Sequence, residues 1–96
     1  MKLVQIYSAM HRAGHTTSQM EFSKIWLGRS PRYYSHLLAT HREPGLATLC
    51  GIVWRLERFA EGLPTEQAIK LLELKHAINA HIAHRSIVDV RGRKFR

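Results

Sequence analysis

The sequence has little cysteine, little acid and no long apolar run. Cys50 is its one cysteine, so no disulfide can form within the chain, and a lone thiol in an apolar stretch predicts a buried, reduced side chain. No apolar run approaches the roughly 18 residues that a transmembrane helix needs. The first seven residues are too polar for the core of a signal peptide. We therefore expect a cytoplasmic protein.

Motifs for catalysis are also missing. There is no nucleophile elbow, glycine-rich phosphate loop or paired carboxylate site, and seven acidic residues leave few candidates for general acid or base chemistry. Two histidine pairs, His81 with His84 and His11 with His15, have spacings that a metal ligand pair can use. Neither pair is accompanied by a cysteine or a carboxylate at a fixed interval, and Gly14 interrupts the second. We expect no enzyme activity, no metal and no cofactor.

The positive charge is abundant and uneven. The net charge is +8, with +4 on residues 1–44, zero on residues 45–84 and +4 on residues 85–96. A neutral middle between two basic ends indicates a structural module flanked by surfaces for a polyanion.

Glycine and proline divide the chain into five helical segments. The segments are 2–13, 18–27, 30–40, 46–61 and 65 to somewhat past 83. No strand competes, because the β-branched run at 86–90 could equally extend the last helix. The prediction is an all-α bundle in which residues 1–84 form one domain and residues 85–96 form a basic tail. That tail is either an arm for DNA or a solvated, disordered terminus.

Local signals set the helix boundaries and faces. Ser18 and Glu21 form a predicted capping box at the second helix, and Ser30 followed by Pro31 predicts the start of the third. Thr65 is the predicted cap of the fifth helix. The expected core faces, in chain order, are Phe22, Ile25 and Trp26; Tyr34, Leu37 and Leu38; Leu46, Leu49, Val53, Leu56, Ala60 and Leu63; then Ile69, Leu72, Ile78 and Ile82.

Residues 18–40 describe two short helices joined by a tight turn, which is the pattern of a helix-turn-helix. Gly28 permits the backbone of the turn. With Tyr34 and Leu37 facing inward, the third helix would present Arg32, Ser35 and His36 outward, together with Thr40. In a helix-turn-helix this outward face enters the major groove. A plain bundle corner is the alternative explanation of the glycine turn.

The stretch Leu27-Gly28-Arg29-Ser30-Pro31-Arg32-Tyr33-Tyr34-Ser35 resembles the Leu-Gly-x-Ser-x-x-x-x-Ser core of Cro/C1-type phage repressor domains. The resemblance covers about residues 18–62. Arg29 stands where that family has an aliphatic residue. The family's small residue, four positions before the glycine, is Lys24 here, and Ser23 precedes it. We therefore expect the first helix to be one residue longer or rotated.

The predicted function is sequence-specific binding of double-stranded DNA by a small bacterial or phage-type transcriptional regulator. Arg32 and His36 would touch base edges. Phosphates would be neutralised by Lys24, Arg29, Arg42 and the tail residues Arg91, Arg93, Lys94 and Arg96, and Tyr33 could also donate to a phosphate. The remaining candidates for DNA contact are Ser30 and Pro31 at the leading end of the helix, and Ser35 and Thr40 on its outward face.

Two questions stay open at this level. A homodimer is expected, because one recognition helix contacts few base pairs, and Leu71, Leu74, Ile78 and Ile82 are its predicted seam or else an internal core face. The alternative function is a protein-interaction module, such as an anti-activator or adaptor, that grips an acidic partner.

Overall fold

A computed structural model describes residues 2–92, with side chains described for residues 2–87. This part of the chain contains five α-helices and no strand, which confirms the predicted all-α bundle. The helices are α1 (Leu3–Arg12), α2 (Gln19–Glu21), α3 (Tyr33–Thr40), α4 (Leu46–Ala60) and α5 (Thr65–Gly92), and a π-helical turn (Phe22–Trp26) continues α2. Within the described residues, no helix combines the length and apolar character that crossing a membrane requires.

The N-terminus of α2 keeps half of the predicted capping box. The Ser18 Oγ accepts from the Glu21 backbone N–H at 3.1 Å, as predicted. The Glu21 carboxylate, however, accepts from Thr17 rather than Ser18, at 3.0 Å from the backbone N–H and 3.0 Å from the hydroxyl. The Glu21 carboxylate therefore restrains Thr17, the residue before the N-cap, as well as belonging to the first turn of α2.

The start of α3 differs from the prediction. The helix begins at Tyr33, and Ser30 instead closes a turn in which its carbonyl accepts from the Tyr33 N–H at 3.0 Å. Arg32 precedes the helix and provides no side-chain cap. A local cap is unnecessary because the Tyr34 N–H donates to the Ser23 Oγ of the preceding helix at 3.0 Å.

The core is one cluster to which α1, the π-helical turn, α3, α4 and α5 contribute. Phe22, Tyr34 and Tyr7 form its aromatic centre, with ring centroids 5.1–5.3 Å apart. The predicted stripe of α4 is confirmed, since Leu49, Val53, Leu56 and Ala60 are buried and Leu46 and Leu63 pack against them.

Four predicted core positions are wrong. Ile25 is 58% exposed because the wider π-helical turn rotates it away from the core. Leu38 is 41% exposed and Ile69 is 51% exposed, since each lies at the edge of its helix face. Cys50 is exposed, not buried, because it lies beside the apolar stripe of α4 rather than on it.

Helix α5 is longer than predicted, and its burial pattern decides whether the four residues of the predicted dimer seam face a second chain or the core of their own chain. It continues past Ala83 to Gly92, so residues 85–92 of the predicted tail have helical backbone, while residues 93–96 lie outside the described part. Leu71 and Ile78 are 3% and 1% exposed within a single chain. Leu74 and Ile82 pack against the same core. The four residues thus form an internal core face.

Candidate nucleic-acid interface

One serine joins the two helices of the candidate helix-turn-helix. Ser23 is fully buried in the π-helical turn. Its hydroxyl donates to the Gln19 carbonyl at 3.0 Å and accepts from the Tyr34 N–H at 3.0 Å. The extra residue of the π-helical turn is what brings Ser23, rather than Lys24, into the angle between the helices. This agrees with the expected rotation of the first helix.

The turn between α2 and α3 is fastened to α4 by two arginines. Arg29 donates to the Thr48 hydroxyl at 3.0 Å, and Arg55 donates to the Trp26 carbonyl at 3.4 Å. Gly28 has φ +64°, and a Cβ there would collide with the Arg55 guanidinium. The left-handed backbone favours glycine at this position, and the missing side chain leaves room for the Arg55 guanidinium in its present place.

The outward face of α3 carries the candidate readers. Arg32, Ser35, His36 and Thr40 are all exposed, and their positions fall on one side of a helix with about 3.6 residues per turn. The Ser35 hydroxyl donates to the Arg32 carbonyl at 3.0 Å, and the Thr40 hydroxyl donates to the His36 carbonyl at 2.8 Å. Both hydroxyl oxygens keep lone pairs for an outside donor, while the Arg32 and His36 side chains have no partner among the described residues.

The residues that precede and begin α3 differ in how far they are buried. Ser30 is exposed and Pro31 is half-buried. Tyr33 packs partly on the core, and the Arg29 guanidinium lies over its ring at 5.6 Å. Arg29 therefore contacts both Thr48 and Tyr33, and its aliphatic part can pack against neighbouring side chains.

The predicted phosphate contacts are partly described. Lys24, in the middle of the π-helical turn, and Arg42, which follows α3, are both exposed. Arg91 has its backbone in α5. Arg93, Lys94 and Arg96 lie outside the described residues.

A contact between distant parts of the sequence joins α5 to the loop that follows α3. The Arg85 guanidinium on α5 donates to the Pro44 carbonyl at 2.8 Å, and Pro44 is buried in the loop that follows α3. The basic end of α5 therefore starts beside the loop that leaves the recognition-helix candidate. The acids that border the stretch from Phe22 to Arg42 are engaged elsewhere, since Glu21 binds Thr17 and Glu43 accepts from the Leu3 N–H at 3.3 Å.

Sequence reasoning missed Ser23, Thr48 and Arg55 as supports of this surface. A signal for Arg55 was present, because Gly51 lies one helical turn before it, and a Cβ at Gly51 would approach its Nη1 to 2.7 Å. The pairing of Arg29 with Thr48 spans 19 positions and has no local pattern that would reveal it.

The profile of one protein family, DUF6626, matches residues 3–91. The chain belongs to this family. DUF6626 is a family of unknown function, and its match includes α1 through nearly all of α5. Neither a curated protein nor a solved structure shows significant similarity to this DUF6626 chain.

Proposed function

We propose that the chain binds double-stranded DNA through the outward face of α3, as a small transcriptional regulator. One observation supports this most: the bond from Arg85 to the Pro44 carbonyl places the basic end of α5 beside the loop after α3. Arg85, the first cation of the basic C-terminal segment, thus lies beside the loop that leaves α3, and the exposed Arg32 guanidinium at the start of α3 has no partner among the described residues.

The roles follow from side-chain chemistry. Arg32 has a free guanidinium on the leading end of α3, and a bidentate pair with guanine O6 and N7 is the commonest specific contact of arginine. His36 lies on the next turn. Lys24 and Arg42 flank this face, where phosphate contacts set the register of a protein on the duplex. Arg29 supports the turn because its Nη2 donates to the Thr48 hydroxyl.

The helix dimensions are compatible with this use. α3 is an α-helix of eight residues, and an α-helix with its side chains is about 10–12 Å across, which the major groove, about 12 Å wide, can admit. Two copies on two half-sites would raise affinity. Such a pair would need a surface other than Leu71 and Ile78, which are buried within one chain.

The proposal is tested by comparing Arg32→Ala with Arg12→Ala. Both arginines are exposed, but Arg12 ends α1, outside the candidate face. Preferred sites are first selected from a random duplex library, and affinity is then measured by fluorescence anisotropy. Arg32→Ala should lose about 1–3 kcal/mol against the best site and relax its preference at one or two base pairs. Arg12→Ala should bind as the wild type does.

Stability measurements accompany this comparison. Neither arginine is buried, so both variants should unfold within about 0.5 kcal/mol of the wild type. Equal DNA affinity of the two variants would refute the assigned role of α3. If the selection yields no preferred site and the DNA affinity does not change in Arg32→Ala, then the chain binds DNA only through non-specific electrostatic attraction, and the proposed sequence-specific function is wrong.

A further inference from the structure

A second surface, separate from α3, combines exposed apolar side chains with positive charge. A groove of about 410 Å³ lies between the π-helical turn and the second half of α4. Ile25 and Trp54 are 58% and 59% exposed, and Phe59 is 41% exposed. Large apolar side chains that are grouped on a surface mark interaction sites more often than scattered ones do. We call these three residues, with Arg55 and Arg58, the tryptophan groove.

The floor of the tryptophan groove is firmly held. The Phe59 ring lies edge-on to Trp26 at 5.2 Å and to His15 at 5.3 Å. The buried Trp26 is fixed by a hydrogen bond from its Nε1 to the His15 carbonyl at 3.1 Å. A partner would therefore meet a surface whose shape is set before binding, which reduces the entropic cost of association.

The charges around the groove favour an acidic partner. Its lining includes Arg55 and Arg58 but no carboxylate. The Arg58 guanidinium lies over the Trp54 ring at 5.6 Å, so an apolar anchor and a carboxylate could be bound side by side. Arg58 also makes exposed ion pairs with Glu61 at 3.6 Å and Glu57 at 4.0 Å. Exposed pairs of this kind contribute little to stability, so a partner carboxylate can replace them, and Glu57 keeps a second partner in Lys75 at 3.3 Å.

The same charges disfavour a second copy of this chain. Pairing two tryptophan grooves about a two-fold axis would bring the same patch of each copy together. Both Arg55 and Arg58 would then face their own equivalents across an apolar contact, and like charges held together there are costly.

From this arrangement we propose that the tryptophan groove binds an acidic peptide segment of another protein, anchored by an aromatic or aliphatic side chain. No residue of α3 lines the groove. The proposal therefore stands apart from DNA binding, and each can fail without the other.

The experiment uses the full chain and peptides selected against it from a random displayed library. Synthetic copies of the enriched peptides are then titrated into the protein. We expect the enriched peptides to pair an apolar anchor with aspartate or glutamate. Since Trp26 is buried and Trp54 is exposed, binding should shift the tryptophan emission to shorter wavelength.

Three variants separate the groove from other surfaces. Trp54→Ala and Ile25→Ala should each weaken peptide binding at least about tenfold, in the range of interface hot spots. Ile69→Ala is the matched control, because it removes an equally exposed apolar side chain from α5, and it should leave the affinity unchanged. DNA affinity should be the same in all three variants.

Two results would overturn the proposal. The first is enrichment of peptides that lack acidic residues or whose affinity does not depend on Trp54 and Ile25. The second is a wild-type dimer in sedimentation that dissociates in Trp54→Ala, since the occupant would then be a second copy. The exposure of Trp54 and Ile25 makes loss of folding an unexpected outcome, and circular dichroism of each variant checks it.

Discussion

At the residue scale, a few polar side chains hold the angle between α2 and α3. Ser23 satisfies two backbone groups of different helices, and the arginines at 29 and 55 attach the turn to α4. Arg32 and His36 have no such duty. The basic side chains of this region therefore divide into those that build the surface and those that remain available on it.

Replacing Ser23 by alanine should destabilise the fold. The Tyr34 N–H would lose its acceptor in a buried position, and an unsatisfied buried donor costs about 1–3 kcal/mol. Ser8→Ala is the control, since Ser8 is exposed on α1 and should change stability by about 0.5 kcal/mol or less. Urea unfolding measures both. Equal unfolding midpoints for the two variants would contradict the role assigned to the Ser23 hydrogen bonds.

Residue patterns predicted much of this region but not its supports. The position of Gly28 and the inward direction of Tyr34 and Leu37 follow from turn chemistry and helical spacing. The Ser-Pro pair at 30–31 predicts a first helical residue at Pro31, two positions before α3 begins at Tyr33, because a favourable local cap competes with an acceptor supplied by a distant serine. Ser23 acts through a contact across 11 positions, and local propensity carries no information about such a contact.

At the element scale, α2 depends on hydrogen bonds made before its first turn. The backbone N–H and then the hydroxyl of Thr17 bind the Glu21 carboxylate and hold its pKa below the ordinary value of 4.5. Ionised Glu21 is therefore favoured in the folded state. The stabilisation is present above pH 4.5 and is lost as the pH falls through the lower, folded-state pKa.

The pH dependence of Glu21→Gln should reveal this bond. In the wild type, the free energy of unfolding should decline as the pH is lowered below about 4.5, with Glu21 contributing part of the decline. The variant should lose that part and show a shallower acid limb. Thermal unfolding followed by circular dichroism between neutral and acidic pH makes the comparison, with Glu66→Gln in the first turn of α5 as the control. Identical acid limbs in all three proteins would contradict the assignment.

The long helix α5 shows a different limit of sequence reasoning. The spacing of Leu71, Leu74, Ile78 and Ile82 predicts an apolar face of the helix, but spacing alone does not tell whether that face packs on the same chain or on a second one. The predicted C-terminal end near Ala83 is wrong because alanine, serine and histidine give only a weak apolar stripe. The Arg85 bond to the Pro44 carbonyl adds a tertiary restraint there that propensity does not register.

For the whole molecule, the distribution of charge is the property with the widest consequence. Arg85, where the basic C-terminal segment begins, contacts the loop after α3 through Pro44, while the neutral middle of the chain supplies α4 and most of α5. Under the proposed function, this contact brings at least one cation of that segment to the side of the molecule that carries the loop after α3.

Removing residues 91–96 should weaken DNA binding mainly through its salt dependence. Each phosphate contact contributes about −0.9 to the slope of log affinity against log salt, so the shortened chain should have a flatter slope and an unchanged preferred sequence. A full-length variant with Arg93→Gln, Lys94→Gln and Arg96→Gln distinguishes charge from length. An unchanged slope in both would show that this segment does not contact phosphates.

The π-helical turn also affects how this chain should be aligned with others. Because the Leu27 N–H donates to the Phe22 carbonyl, five positions back, at 3.1 Å, the turn holds one residue more than a regular α-helical turn. Matching this segment to a helix-turn-helix with a regular first helix therefore requires a one-residue gap between Ser23 and Trp26. Without that gap, the exposed Lys24 is aligned with a position that calls for a small residue, and with the gap the buried Ser23 takes its place.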